Sequence, residues 1–150
     1  MTTEEYPKVY LYRRIVQAKL FIDSNYADKI DVDNISDEAY FSKYHFIRLF
    51  KKIYGKTPHQ YLKAVRIEKA EQILKADNSV TETCFLVGFE SLSSFSGLFK
   101  RITGESPSNY SKRHQETKKK VDEEPLAFVP SCYAYQHGWI ENSNFEEVSE

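Results

Sequence analysis

The chain has 150 residues, 41% of them hydrophobic and 29% charged, a globular composition that excludes disorder and contains no apolar run near the roughly 18 residues of a membrane span. Its acidic start, Met1 to Glu5, is unlike a signal peptide, and two cysteines, Cys84 and Cys132, make no disulfide framework, so the expected setting is the reduced cytoplasm, away from membranes. The net charge of −1 hides a division: residues 1–114 hold 18 Lys+Arg against 14 Asp+Glu, whereas residues 115–150 hold 3 against 8.

Residues 8–25 read as a helix, with Val9, Ile15, Val16, Leu20 and Phe21 forming most of one apolar stripe. Asp28 to Asp33 is a polar connection, and a short helix follows over Val32 to Ala39. Tyr40 and Phe41 lead to Ser42, a good N-cap. The segment 43–54 places Phe46, Leu49, Phe50 and Ile53 on one helical face, and Gly55 stops it. Thr57-Pro58 starts a longer helix to about Lys75, with Thr57 as cap and Pro58 in the first turn. Asp77-Asn78-Ser79 breaks that helix.

The pattern then returns. Val80 to Val87 is a short helix, Gly88-Phe89 a turn and Ser91 a cap. Phe95, Leu98, Phe99 and Ile102 repeat the stripe, Gly104 stops it, and Ser106-Pro107 starts a short helix to about Lys112. The offset is 49 residues, and 8 of the 16 positions 46–61 are identical in the second copy. The repeat implies a duplicated unit of short helix, tight turn and second helix. The run 115–124 reads as a charged linker or frayed helix end, with Lys118–Lys120 a solvated charge run. Residues 125–150 form an acidic tail holding Phe128, Tyr133, Tyr135, Trp139 and Phe145.

A short helix, a turn and a second helix make the helix-turn-helix arrangement, whose second helix can enter a DNA major groove. On a helical wheel, Tyr44, Arg48, Lys51 and Lys52 lie opposite the apolar stripe, with Ile47 on the flank. Within residues 43–69, eight basic residues face a single acid, Glu68. Such a face suits a polyanion: Arg can bind guanine bidentately, Lys can hold phosphates, and an apolar side chain can meet a thymine methyl. The repeat keeps the cations as Lys100 and Arg101 but has Ser93 for Tyr44 and Gly97 for Arg48. Helix starts at Thr57 and Ser106 offer backbone N–H groups to a phosphate, although capping alone explains those residues.

The run Tyr44-His45-Phe46-Ile47-Arg48-Leu49-Phe50-Lys51-Lys52-Ile53-Tyr54-Gly55-Lys56-Thr57-Pro58, with Tyr61 and Arg66 to Ala70, resembles the DNA-binding domain of AraC/XylS transcription regulators. So does Gly88-Phe89-Glu90-Ser91, with Phe95, Phe99-Lys100-Arg101, Gly104, Ser106-Pro107 and Tyr110. The resemblance covers about residues 8–113. It implies an all-α fold of two helix-turn-helix subdomains joined by a long central helix, here with an aromatic-rich C-terminal tail. The expected organisation is an N-terminal tail (1–7), a first subdomain (8–57), a connecting helix (58–75), a second subdomain (76–114), a charged linker (115–124) and the tail (125–150).

The resemblance further implies a sequence-specific transcription regulator with recognition helices at about 43–54 and 92–103 in successive major grooves. It is similar to the short, solo members, which lack an effector domain and bind as monomers. Base-reading positions carried over are Tyr44, Ile47, Arg48, Leu92, Ser93, Ser94, Ser96 and Gly97. Phosphate contacts fall to Lys43, Lys51, Lys52, Thr57, Lys100, Arg101 and Ser106. Family members often have a longer polar residue at 47 and a basic one at 97. Ser36 and Cys84 stand where the two units usually carry Ala, which makes Cys84 a small core residue. Double-stranded DNA is the expected partner, with RNA polymerase a further one.

The competing readings are weaker. No Ser/His/Asp constellation, carboxylate pair, phosphate loop or metal motif supports an enzyme, and no cofactor is expected. Cys132 and His137 fall short of the three or four ligands a metal needs. His45 and His59 read as structural. The alternative is a helix-turn-helix-derived protein-interaction module, its DNA binding weak or masked by the tail. Residues 125–150 would then serve self-association or dock over the basic face as an autoinhibitor.

Overall fold

The computed structural model describes residues 5–39 and 42–138. Among these it contains α1 (Glu5–Asn25), α2 (Val32–Ala39), α3 (Lys43–Tyr54), α4 (Pro58–Lys75), α5 (Val80–Leu86), α6 (Leu92–Thr103), α7 (Pro107–Glu123) and α8 (Ser131–Gln136). A 3₁₀ turn spans Pro125–Phe128, and the described residues hold no strand. The fold is all-α, with helix-turn-helix units at α2–α3 and α5–α6 joined by α4.

The helix ends follow from local chemistry. Gly55 and Gly104 close α3 and α6 at φ 73° and 88°, each donating its N–H to the carbonyl four residues back. A residue with a Cβ would cost roughly 1–2 kcal/mol in that left-handed conformation. Thr57 Oγ1 accepts from the Gln60 N–H, and Gln60 Oε1 accepts from the Thr57 N–H, a reciprocal cap on α4. Ser79, Ser91 and Ser106 each accept from a backbone N–H three residues on. Ser42 precedes α3 in extended conformation but makes no side-chain cap bond.

Two apolar clusters form. The first holds Ile15, Ala18, Ile22, Ile35, Phe46, Phe50, Leu62 and Val65. The second holds Ile67, Ala70, Leu74, Cys84, Val87, Phe95, Leu98, Phe99 and Tyr110. Helix α4 is therefore a shared wall, giving Leu62 and Val65 to one cluster and Ile67, Ala70 and Leu74 to the other. The changeover falls at Arg66.

Several expectations are corrected. Helix α1 buries Ile15, Ala18 and Ile22, while Val9, Val16 and Leu20 are 62%, 44% and 53% exposed. The helix carries two apolar stripes, and packing on α2, α3 and α4 selected the one at i, i+3, i+7. Ile53 and Ile102, expected on the buried stripes, are 37% and 48% exposed. Helix α7 does not stop near Lys112 but continues to Glu123, so of the two readings of the run 115–124, linker or helix end, most of it is exposed helix. Lys118 lies 3.2 Å from Asp77, just past the end of α4, an exposed pair that adds little. Beyond α7, the residues of the 3₁₀ turn are exposed and Ala134 is buried. Tyr40, Phe41, Trp139 and Phe145 lie outside the described residues.

Candidate nucleic-acid interface

Phe46 and Phe50 are fully buried and fix the rotation of α3. Tyr44, Arg48, Lys51 and Lys52 consequently stand exposed on its outer side. The Arg48 guanidinium lies 5.5 Å from the centre of the Tyr44 ring. A cation over a ring face is attracted to its quadrupole, by about 0.5–1 kcal/mol at an exposed site. Tyr44, His45, Arg48, Leu49 and Lys52 line a shallow groove there. His45, expected as a structural residue, is exposed on that groove.

Other predicted positions are less open. Ile47 is half-buried and packs against the first cluster. Lys43 Nζ lies 3.0 Å from Asp33 Oδ1, so its charge is already matched from α2. The Thr57 hydroxyl and N–H are both engaged by Gln60, and a phosphate there would compete with the cap. The Ser106 hydroxyl is likewise engaged by Asn109.

Phe95 and Phe99 pin α6 in the same way. Leu92, Ser93, Ser94 and Gly97 are exposed and Ser96 half-buried, while Lys100 and Arg101 point outward. Ser94 is partly committed, accepting from the Ser91 hydroxyl at 2.8 Å. A Cβ at Gly97 would meet nothing within 4 Å, so the helix surface is bare there. The two faces thus share their cations near the helix C-termini and differ in the first two turns, where an inserted helix meets base edges.

Arg66, Phe89 and Lys29 had no assigned role in the sequence reading, yet they line a concavity between the two units with Ser91 and Ser94. The signal was slight: Arg66 is the one cation at the point where α4 changes from one apolar cluster to the other. Burial holds its guanidinium below the usual arginine pKa.

A family profile described as a helix-turn-helix domain matches residues 35–113, more than half of the chain. The chain belongs to the AraC-type helix-turn-helix family. Among curated AraC-type relatives, it is 36% identical over 91 residues to the probable transcriptional regulator LumQ of Photobacterium leiognathi, spanning 60% of this chain and 37% of that one. It is 34% identical over 92 residues to the transposon Tn10 TetD protein of Escherichia coli, covering 61% of this chain and 67% of TetD. Its fold matches the DNA-binding domain of the global transcriptional factor AdpA, solved with a target DNA, at a TM-score of 0.64 and 27% identity, over 74% of this chain and 96% of that one. No described helix is long and apolar enough to cross a membrane.

Proposed function

We propose that the chain is a sequence-specific DNA-binding transcription regulator, placing α3 and α6 in successive major grooves. The observation that carries this reading is the outward face of α3. Buried Phe46 and Phe50 turn Tyr44, Arg48, Lys51 and Lys52 together toward solvent, and α6 repeats the device with Lys100 and Arg101. The AdpA domain that shares the fold was solved with its target DNA, which supports the same use here.

In this reading Tyr44, Arg48 and the edge of Ile47 read bases from the first unit. Leu92, Ser93, Ser94, Ser96 and the bare surface at Gly97 make the closer, less discriminating approach of the second. Lys51, Lys52, Lys100 and Arg101 hold phosphates, joined by Lys43 once it leaves Asp33. Thr57 and Ser106 lend helix N-termini. The chain acts without a cofactor and catalyses nothing itself, and RNA polymerase is the further partner.

The test is fluorescence anisotropy of a labelled random duplex with the full chain across a salt series, followed by selection from a random pool. The expected result is a log affinity that falls linearly with log salt, then enrichment of one asymmetric site. Absence of binding at low salt would overturn the reading.

A further inference from the structure

The two units meet at a second point, away from the axis of α4. Tyr26 to Ile30, the turn between α1 and α2, is wedged between α4 and the turn that precedes α6. Arg66 is at the centre of it. Its Nε donates to the Tyr26 carbonyl at 2.7 Å and its Nη2 to the Asp28 carbonyl at 2.9 Å. The same guanidinium lies 5.7 Å from the centre of the Phe89 ring. Phe89 in turn packs on Phe95, 5.3 Å between ring centres, inside the second unit. One side chain thus holds the backbone of the first unit and an aromatic anchor of the second.

The backbones also touch. A Cβ built on Gly88 would lie 2.7 Å from the Ala27 carbonyl oxygen. Gly88 therefore admits a close approach that no other residue permits, besides adopting φ 92°. Tyr26 packs against both apolar clusters. Lys29 and Glu90 lie 3.6 Å apart across the same seam, although both are exposed and such a pair adds little.

The seam lies directly before α6, whose first residue, Leu92, follows Phe89 by three positions. A single connecting helix leaves bending and twisting about its axis free; an off-axis contact removes both. The outer face of α6 is poor in base-reading groups, so its engagement depends on being delivered to the right place. We propose that Arg66, with Gly88 and Phe89, is a positioning residue that fixes the spacing and phase of the second DNA contact relative to the first. The chain would then discriminate between DNA sites by the distance between two contacted segments, a specificity that α6 alone does not carry. This rests on the DNA-binding reading above, but its mechanical half does not.

The experiment separates the two. Spin labels are placed at exposed sites on α1 and α5 through Gln17→Cys and Thr81→Cys, with Cys132→Ser, since Cys84 is buried. Pulsed dipolar spectroscopy of the full chain without DNA should give one narrow distance. Arg66→Met, which keeps the stem and loses the donors, should broaden it about twofold, and Arg66→Lys should recover part of the narrowing. Next, the site selected by the unaltered chain is lengthened by one base pair between its two contacted segments, a shift of about 34° and 3.4 Å. The unaltered chain should lose about tenfold in affinity and Arg66→Met no more than about threefold. An Arg66→Met chain as narrow and as spacing-sensitive as its parent overturns the proposal. If circular dichroism shows that Arg66→Met has lost its helices, Phe89→Leu is read by the same two criteria. If neither chain binds DNA, the functional reading falls, and the spin-label distances still decide whether the seam locks the units.

Discussion

In the first unit Tyr54 packs its ring between Phe50, 4.8 Å away, and Tyr61, 6.0 Å away. Its counterpart in the second unit is Thr103, whose hydroxyl bonds back to the Phe99 carbonyl at 2.7 Å and to the Glu105 carbonyl at 3.0 Å. The edge-on contact beneath each is nevertheless retained: Phe50 on Tyr61 and Phe99 on Tyr110, 5.6 and 5.3 Å between centres. Both tyrosines donate to a carboxylate, Tyr61 to Asp23 of α1 and Tyr110 to Glu71 of α4. The duplication has kept the aromatic frame and the glycine stops, which set helix geometry. It has let the outward face diverge from Tyr44 and Arg48 to Ser93 and Gly97. Those side chains are exposed, so their identity bears little on stability.

The largest test of this comparison is to hollow each core in turn. Phe46→Ala and Phe95→Ala, at equivalent positions, should each cost about 3–5 kcal/mol by denaturant unfolding. Native-state hydrogen exchange should show α2 and α3 opening first in one variant and α5 and α6 in the other. Uniform opening in both would mean that the two clusters form one cooperative core.

The outer faces should differ in kind of loss. Arg48→Ala should cost about 1–3 kcal/mol of affinity, mostly on the preferred DNA sequence. Lys100→Ala should weaken all sequences alike and lower the salt slope by about one. Equal behaviour in a competition assay would erase the distinction between the two recognition helices.

Tyr61→Phe should cost about 0.5–1.5 kcal/mol, and Tyr110→Phe less, since its bond to Glu71 is longer, 3.3 Å against 2.8 Å. Burial and the hydrogen bond to Asp23 push the Tyr61 hydroxyl up to about 12. A pKa raised in the folded state gives stability that is complete below the unfolded value near 10 and is lost as pH climbs toward 12. The gap between parent and Tyr61→Phe should therefore narrow over that interval in denaturation titrations. The smallest effect should come from Gly97→Ala. The site is helical, exposed and open around the Cβ, so stability should rise by about 0.5–1 kcal/mol by thermal melting.

Much of this was legible in the residues. The repeat, the left-handed stops at Gly55 and Gly104, and the cap at Thr57 are local chemistry, decided within a few residues of chain. The outward cations of α3 and α6 follow from helical periodicity once the buried phenylalanines are identified. The packing face of α1 was legible only in part: Ile15 and Phe21 of the expected stripe meet the first cluster, while Val9, Val16 and Leu20 are exposed, because two apolar stripes compete. Nor was the length of α7, whose last turns are charged and exposed, so that no apolar stripe marks where the helix ends.

The sequence by itself determined the helices, their boundaries in the duplicated units and the character of the two outward faces, because each depends on contacts between residues one or two turns apart. Only the tertiary structure decided that Lys43 meets Asp33, that His45 joins the groove, and that Arg66 grips two carbonyls of a turn about 40 residues earlier. Those choices depend on which surfaces meet when both cores close around α4, and no local pattern carries that information.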